Sequence, residues 1–274
     1  MNTRCGFVAL IGAPNAGKST LMNQLVGTKI SIVTHKVQTT RAVMRGVAMR
    51  DNAQIVFIDT PGIFNPRRKL DEAMVTTAWG SARDADISVC LIDVERGLTE
   101  DIEALIAKMG GINGKRVLLL NKIDQVPRDK LLALTLKINE IHAFDETFMV
   151  SALNGDGCED FLNYLASNIP EGPYMYPEDQ ISDLPLRMLA AEVTREKIYL
   201  RLHQELPYSS HVETEGWEEK KDGSVKISQV IYVERDSQKK IIIGKNGKVT
   251  DTFASITKPS SKRFIDLIEE EIKN

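Results

Sequence analysis

Gly12-Ala13-Pro14-Asn15-Ala16-Gly17-Lys18-Ser19-Thr20 follows an apolar run at 7–11 and opens a helix-like stretch at 19–26. Strand, G-x-x-x-x-G-K-S spacing and helix, in that order, are the context in which this pattern holds phosphate. Glycines let backbone N–H groups curl around phosphate oxygens, and the helix N-terminus adds its positive dipole end. Lys18 is placed to reach the terminal phosphates, and Ser19 offers a hydroxyl to Mg²⁺. Outward from the loop, apolar runs at 55–58, 87–92, 117–120 and 148–150 alternate with helix-period stretches such as 70–83 and 128–143. That rhythm predicts an α/β domain with a mostly parallel sheet and helices on both faces.

Three further loops follow strand ends, at the carboxyl edge where α/β sheets bind ligands. Asp59-Thr60-Pro61-Gly62 comes after 55–58. Its carboxylate suits Mg²⁺ held through water, and the Gly62 N–H suits a γ-phosphate, so that hydrolysis breaks the hydrogen bond and frees the loop. Asn121-Lys122-Ile123-Asp124 closes 117–120. Asp124 can accept both guanine N1–H and N2–H₂, and a site built for those donors rejects a base lacking them by orders of magnitude. Ser151-Ala152-Leu153 closes 148–150 and is placed to touch the same base.

The order and placement of these motifs resemble the translation-factor-related class of small GTPases, over about residues 5–170. The resemblance implies GTP/GDP and Mg²⁺ as cofactors, and nucleotide contacts from Gly12, Ala13, Pro14, Asn15, Ala16, Gly17, Lys18, Ser19, Thr20, Asp59, Gly62, Asn121, Lys122, Asp124, Ser151, Ala152 and Leu153. It also implies a threonine closing onto Mg²⁺ from Gln38-Thr39-Thr40-Arg41, with Thr40 the choice and Thr39 the alternative. Mg²⁺ would then be held by Ser19, Thr40 and Asp59, with Lys18, Thr40 and Gly62 serving catalysis. Ile63 stands where Ras-like switches carry a water-orienting glutamine, so intrinsic hydrolysis is expected to be slow. Asn15 matches the asparagine by which some relatives hold K⁺ between phosphates, and a turn-favouring Asn after Pro14 accounts for it equally well.

Four of the ten prolines fall at 170, 173, 177 and 185, a linker signature. Beyond it the pattern changes to one amphipathic stretch at 186–206 and two alternating stretches, 211–219 and 224–234, around Lys220-Lys221-Asp222-Gly223. An Asp-Gly between alternating runs signals a hairpin. Ile241-Ile242-Ile243-Gly244-Lys245-Asn246-Gly247-Lys248 then contains a G-x-x-G, the loop by which KH domains clamp a nucleic-acid backbone. Helix, hairpin, tetrad and further helix follow the order of a type II KH domain. Lys239, Lys240, Gly244, Lys245, Asn246, Gly247 and Lys248 are the candidate RNA contacts. The expected organisation is a G domain over 1–170, a linker over 171–185 and a smaller α+β KH-like domain over 186–274.

That order resembles the bacterial ribosome-assembly GTPases that carry a C-terminal KH domain. The resemblance implies binding to the 3′ region of 16S ribosomal RNA coupled to the GTP state, and action in small-subunit assembly; a monomeric cytoplasmic protein with peripheral association with the inner membrane is the expected setting. Pro259 interrupts the last helical sequence and no final strand is legible, so the KH sheet is expected to be incomplete. The competing reading makes the C-terminal region a protein- or membrane-docking module. A G domain serving tRNA modification fits less well, for want of a reactive cysteine near a cofactor-like motif.

Composition sets the outer limits. The 274 residues are 42% hydrophobic and 27% charged, which excludes a disordered or fibrous chain. A net charge of −3 gives no whole-chain case for nucleic acid, so that case rests on the local lysines. Cys5, Cys90 and Cys158 are too scattered for a disulfide framework or zinc site and are expected to be buried. No apolar run reaches the roughly 18 residues of a membrane span. Glu218 and Glu219 read as solvated, and so do Arg195-Glu196-Lys197 and Arg201, with a phosphate or G-domain contact as the alternative.

Overall fold

The computed structural model describes residues 2–34, 43–64, 66, 69–202, 207–222 and 224–243. They form two compact units, one of residues 2–31 and 43–183, the other of residues 32–34 and those from Leu184 onward.

The first unit runs β1 (Arg4–Gly12), α1 (Lys18–Val26), β2 (Met44–Arg50), β3 (Ala53–Asp59), α2 (Lys69–Asp84), β4 (Ile87–Asp93), α3 (Glu100–Met109), β5 (Lys115–Asn121), α4 (Arg128–Ile141), β6 (Glu146–Val150) and α5 (Cys158–Asn168). Its six strands lie in the order β2-β3-β1-β4-β5-β6. All neighbours are parallel except β2, which pairs antiparallel with β3 at the sheet edge. Val8, Ala9, Leu10 and Ile11 are all buried, as an interior parallel strand covered on both faces requires. On α3, Ile102, Leu105, Ile106 and Met109 share one face and pack on Ala9, Ile11, Cys90, Ile92, Leu118 and Leu120. Helices α1 and α5 pack over β2 and β3. A Cβ on Gly46 of β2 would lie 2.5 Å from Ile30 Cδ1, so the glycine lets this layer close onto the edge strand. All three cysteines are buried and free, as their scatter predicts.

Residues 171–183, expected within a linker, run along the first unit. Glu171 bridges to Arg4, Ser182 bridges to Gly46, and the Val47 N–H donates to the Ile181 carbonyl at 2.8 Å. Buried Gln54 accepts the Met175 and Tyr176 N–H groups at 2.8 and 3.0 Å and donates to the Tyr176 carbonyl at 2.7 Å.

The second unit contains α6 (Leu186–Arg201), β7 (Ser210–Glu219), β8 (Val225–Val233) and α7 (Asp236–Ile243). The two strands form the antiparallel hairpin expected from Asp222-Gly223. The helix α6 ends at Arg201, short of the expected 206, and residues 203–206 lie outside the described ones. Ile198, Leu202, Val212 and Ile242 make one small core, and Leu189, Ala190 and Val193 a second beside Trp217 and Ile227. Residues 241–243 close α7.

One expectation is overturned here. Arg195 and Glu196 are 4% and 3% exposed and form no solvated face. Glu192 neutralises the Arg195 guanidinium, with Nε to Oε1 at 2.9 Å, while the guanidinium lies 5.4 Å from the Tyr199 ring centroid. Glu196 accepts the Val33 N–H at 2.8 Å. Burial of these charges is tolerated because each has a partner. The glutamates 218 and 219 are exposed as expected.

Candidate nucleotide-binding site

The loop between β1 and α1 is shaped by backbone that only certain residues accept. Gly17 has φ +98°, and a Cβ there would fall 2.3 Å from Asn121 Nδ2, so both conformation and space demand glycine. Asn15 has φ +63°, the left-handed region that asparagine tolerates, which accords with its turn role. The helix α1 starts at Lys18, and Gly17 supplies no capping side chain. Its first N–H groups therefore face the loop, as an anion site needs. Ser19 and Thr20 stand in that first turn. Lys18 is buried, its Nζ donating to the Gly12 and Ala13 carbonyls at 3.1 and 3.0 Å. Burial pushes its pKa down to about 8, while the Asp59 charge pulls it up.

Asp59 ends β3 and is buried against the start of α1. Ser19 Oγ donates to its Oδ2 at 2.7 Å, and Ser31 Oγ donates to the same oxygen at 2.9 Å. Adjacent hydroxyl and carboxylate oxygens are the hard donors Mg²⁺ prefers, so Ser19 and Asp59 fit that ion. Thr60 Oγ1 donates to the Leu10 carbonyl at 2.7 Å and staples the loop to β1. The next turn lies on the phosphate loop: a Cβ on Gly62 would be 2.8 Å from Pro14 Cα, and the Ile63 N–H donates to the Gly12 carbonyl at 3.0 Å. The Ile63 side chain packs on the apolar layer around α3.

Asn121 joins the phosphate loop to the base loops. Its Nδ2 donates to the Ala16 carbonyl at 2.8 Å, and its Oδ1 accepts the Ala152 N–H at 2.9 Å. Lys122, at φ +67°, pairs with Asp93 at the end of β4. Asp124 is exposed in a single 3₁₀ turn, Ile123–Gln125. Hydrogen bonds from Ser151, then from Gln125, hold its carboxyl below the usual range. It is therefore an ionised acceptor open to a base edge. Ser151 and Ala152 are buried, and Leu153 is 74% exposed.

Sequence reasoning missed Asn23, Ser31 and Asp93, which act through partners many positions away and have no local signature. Thr39, Thr40, Gly244, Lys245, Asn246, Gly247, Lys248 and Pro259 lie outside the described residues, and with them the expectation of an incomplete KH sheet. Lys239 and Lys240 are exposed on α7.

Fold and loops together define a P-loop nucleotide-binding protein whose base loops are set for guanine. The family model for the 50S ribosome-binding GTPase matches residues 7–122, and that for the KH domain matches residues 205–273. The GTPase Era of Agrobacterium fabrum is 65% identical over 270 residues, covering 98% of this chain and 84% of that protein. That of Sinorhizobium medicae is 63% identical with 98% and 86% covered. A crystal structure of Era with MgGDPNP and nucleotides 1506–1542 of 16S ribosomal RNA superposes with TM-score 0.88 at 35% identity, over 99% of this chain and 90% of that one. A variant of Aquifex aeolicus Era bound to GDP·AlF4− matches with the same figures. The chain belongs to the GTPase Era family and is a GTPase with a C-terminal KH domain.

Proposed function

We propose that this chain is a GTP-driven switch that binds the 3′ region of 16S ribosomal RNA through its KH domain and acts in assembly of the small ribosomal subunit. The observation that carries the nucleotide half is the Asn121 side chain, whose two hydrogen bonds draw the phosphate loop and the base loops into one site. The RNA half is supported by the KH-domain match and by the RNA bound in the structure of the related Era. We assign the G domain to residues 1–170, the linker to 171–185 and the KH domain to 186–274.

In this reading the loop from Gly12 to Thr20 wraps the phosphates and Lys18 neutralises their oxygens. Asp124 reads the guanine edge, with Lys122, Ser151, Ala152 and Leu153 around the base. Ser19, Asp59 and Thr40 would hold Mg²⁺, which would neutralise charge building on the phosphate oxygens. Gly62 offers its N–H to the γ-phosphate. Ile63 has no polar group to orient water, so positioning falls to backbone groups and intrinsic turnover is slow. K⁺ beside Asn15 would add charge at the same place. We place the protein in the cytoplasm as a monomer. Peripheral contact with the inner face of the cell membrane belongs to this reading as a proposal; the basic triplet Arg67-Arg68-Lys69 reads first as a solvated loop, with RNA or an anionic membrane as its alternative partners. No helix of the described residues is long and apolar enough to cross a membrane.

Replacing Lys245 and Asn246 together by Asp puts negative charge where the G-x-x-G loop must meet phosphate. Fluorescence anisotropy with a single-stranded RNA from the 3′ end of 16S RNA should show affinity falling at least tenfold, while GTP affinity changes less than twofold. Equal RNA affinity in parent and double variant at low salt would remove the KH reading.

A further inference from the structure

Ser31 has no place in the motif set, yet its side chain reaches the centre of the site. It is 1% exposed, and its Oγ donates to Asp59 Oδ2 at 2.9 Å, the oxygen that also accepts from Ser19. The only other acceptor in its reach among the described residues is the Met44 sulfur at 3.8 Å, a far weaker one than a carboxylate. The hydroxyl proton therefore belongs to Asp59.

The backbone at Ser31 is aimed from α1. Asn23 Oδ1 accepts the Ile30 and Ser31 N–H groups at 3.0 and 2.9 Å, and Asn23 Nδ2 donates to the Ser31 carbonyl at 2.8 Å. One amide thus satisfies three backbone groups, much as a neighbouring strand would. The helix that carries Lys18 and Ser19 at its start also holds, a turn further on, Asn23, which fixes the backbone of Ser31.

From this geometry we infer that Ser31 is a positioning residue for Mg²⁺: its hydroxyl fixes the Asp59 carboxylate in the orientation that presents it to the ion beside Ser19. The inference rests on the reading of Asp59 as a Mg²⁺-site carboxylate. Two hydroxyls donate to one carboxylate oxygen, but only Ser19 stands in the phosphate-loop helix and is itself a candidate ligand. Ser31, outside that helix, acts through the carboxylate it donates to. A buried carboxylate keeps its charge and its rotamer when donors are fixed around it, and removing such a donor leaves the group free to turn from the ion.

The test reads Mg²⁺ directly through release of a fluorescent GDP analogue, mant-GDP, across a series of free Mg²⁺ concentrations and in EDTA. Two variants of the full chain are compared, Ser31→Ala and Ser31→Cys. Cysteine fills about the same space as serine but is a weak donor. Both variants should need about tenfold more Mg²⁺ than the parent to slow release half-maximally, the loss typical of one hydrogen bond to a charged group, with release in EDTA unchanged. If Ser31→Cys behaves like the parent, Ser31 only fills space and the inference is overturned. Release accelerated equally in EDTA and in Mg²⁺ would overturn it too, since that marks general loosening of the site. A parent whose release ignores Mg²⁺ would instead remove the underlying reading of Asp59. A parent that responds while both variants match it would remove Ser31 alone.

Discussion

A lysine held against two carbonyl oxygens and largely desolvated is poorly compensated until an anion arrives. Lys18 is in that position, with a pKa near 8. Phosphate oxygens beside it would favour its charged form and raise that value. Below about pH 8 the free protein already carries the proton and GTP affinity should be flat. Above it each binding event must take up a proton, so affinity should fall by up to about tenfold per pH unit until the bound-state pKa is reached. Isothermal titration at pH 9 in two buffers of different ionisation enthalpy should show an uptake approaching one proton. Zero uptake would mean that Lys18 does not face phosphate. The lysine itself was legible from Gly12 to Ser19, because the motif fixes its neighbours. The bonds from Asn23 to Ser31 and from Ser31 to Asp59 were not, because they join residues 8 and 28 positions apart with no motif between them.

Among elements, the parallel strands were legible because strands buried on both faces must be apolar throughout, as Val8 to Ile11 and Val117 to Leu120 are. The strand β2 was not, since an antiparallel edge strand tolerates Arg45, Gly46 and Arg50 and so carries no continuous apolar run. The proline-rich segment misleads for a related reason. Proline content suggests a linker, yet residues 175–176 are held on β3 by Gln54, an attachment with no periodicity to reveal it. Replacing Gln54 by Ala leaves two N–H groups and one carbonyl without that partner. It should cost about 1–3 kcal/mol, an unmet polar group being expensive. Amide hydrogen exchange at Met175 and Tyr176 should accelerate while the centre of β1 stays protected. Unchanged exchange at those two amides would show that the segment is held by other means. Arg195 and Glu196 belong to the same lesson: charge pattern alone places them in water, and Glu192, Tyr199 and the Val33 N–H bring them inside.

For the molecule as a whole, a net charge of −3 and 16 basic against 19 acidic residues over 171–274 leave RNA binding to one local cluster. If Lys239, Lys240, Lys245 and Lys248 carry it, four phosphates are neutralised. The log–log slope of RNA affinity against salt should then be near −3, from about −0.7 per phosphate on a single strand. Anisotropy titrations between about 50 and 200 mM salt, concentrations chosen around the physiological range, measure it, and a clearly steeper slope would place further basic residues in the interface.

The central claim is that the loops at the carboxyl edge of the sheet bind guanine nucleotide, with Asp124 reading the base. Asp124→Asn reverses the hydrogen-bond polarity at that point, turning an acceptor of two guanine donors into a partner for the xanthine carbonyl. Binding of GTP and of xanthosine triphosphate to parent and variant, measured side by side, tests this directly. Affinity for GTP should drop at least a hundredfold in the variant and that for xanthosine triphosphate should rise, as expected where a site's polar groups match one base and not the other. A variant that binds GTP as tightly as the parent would contradict the account.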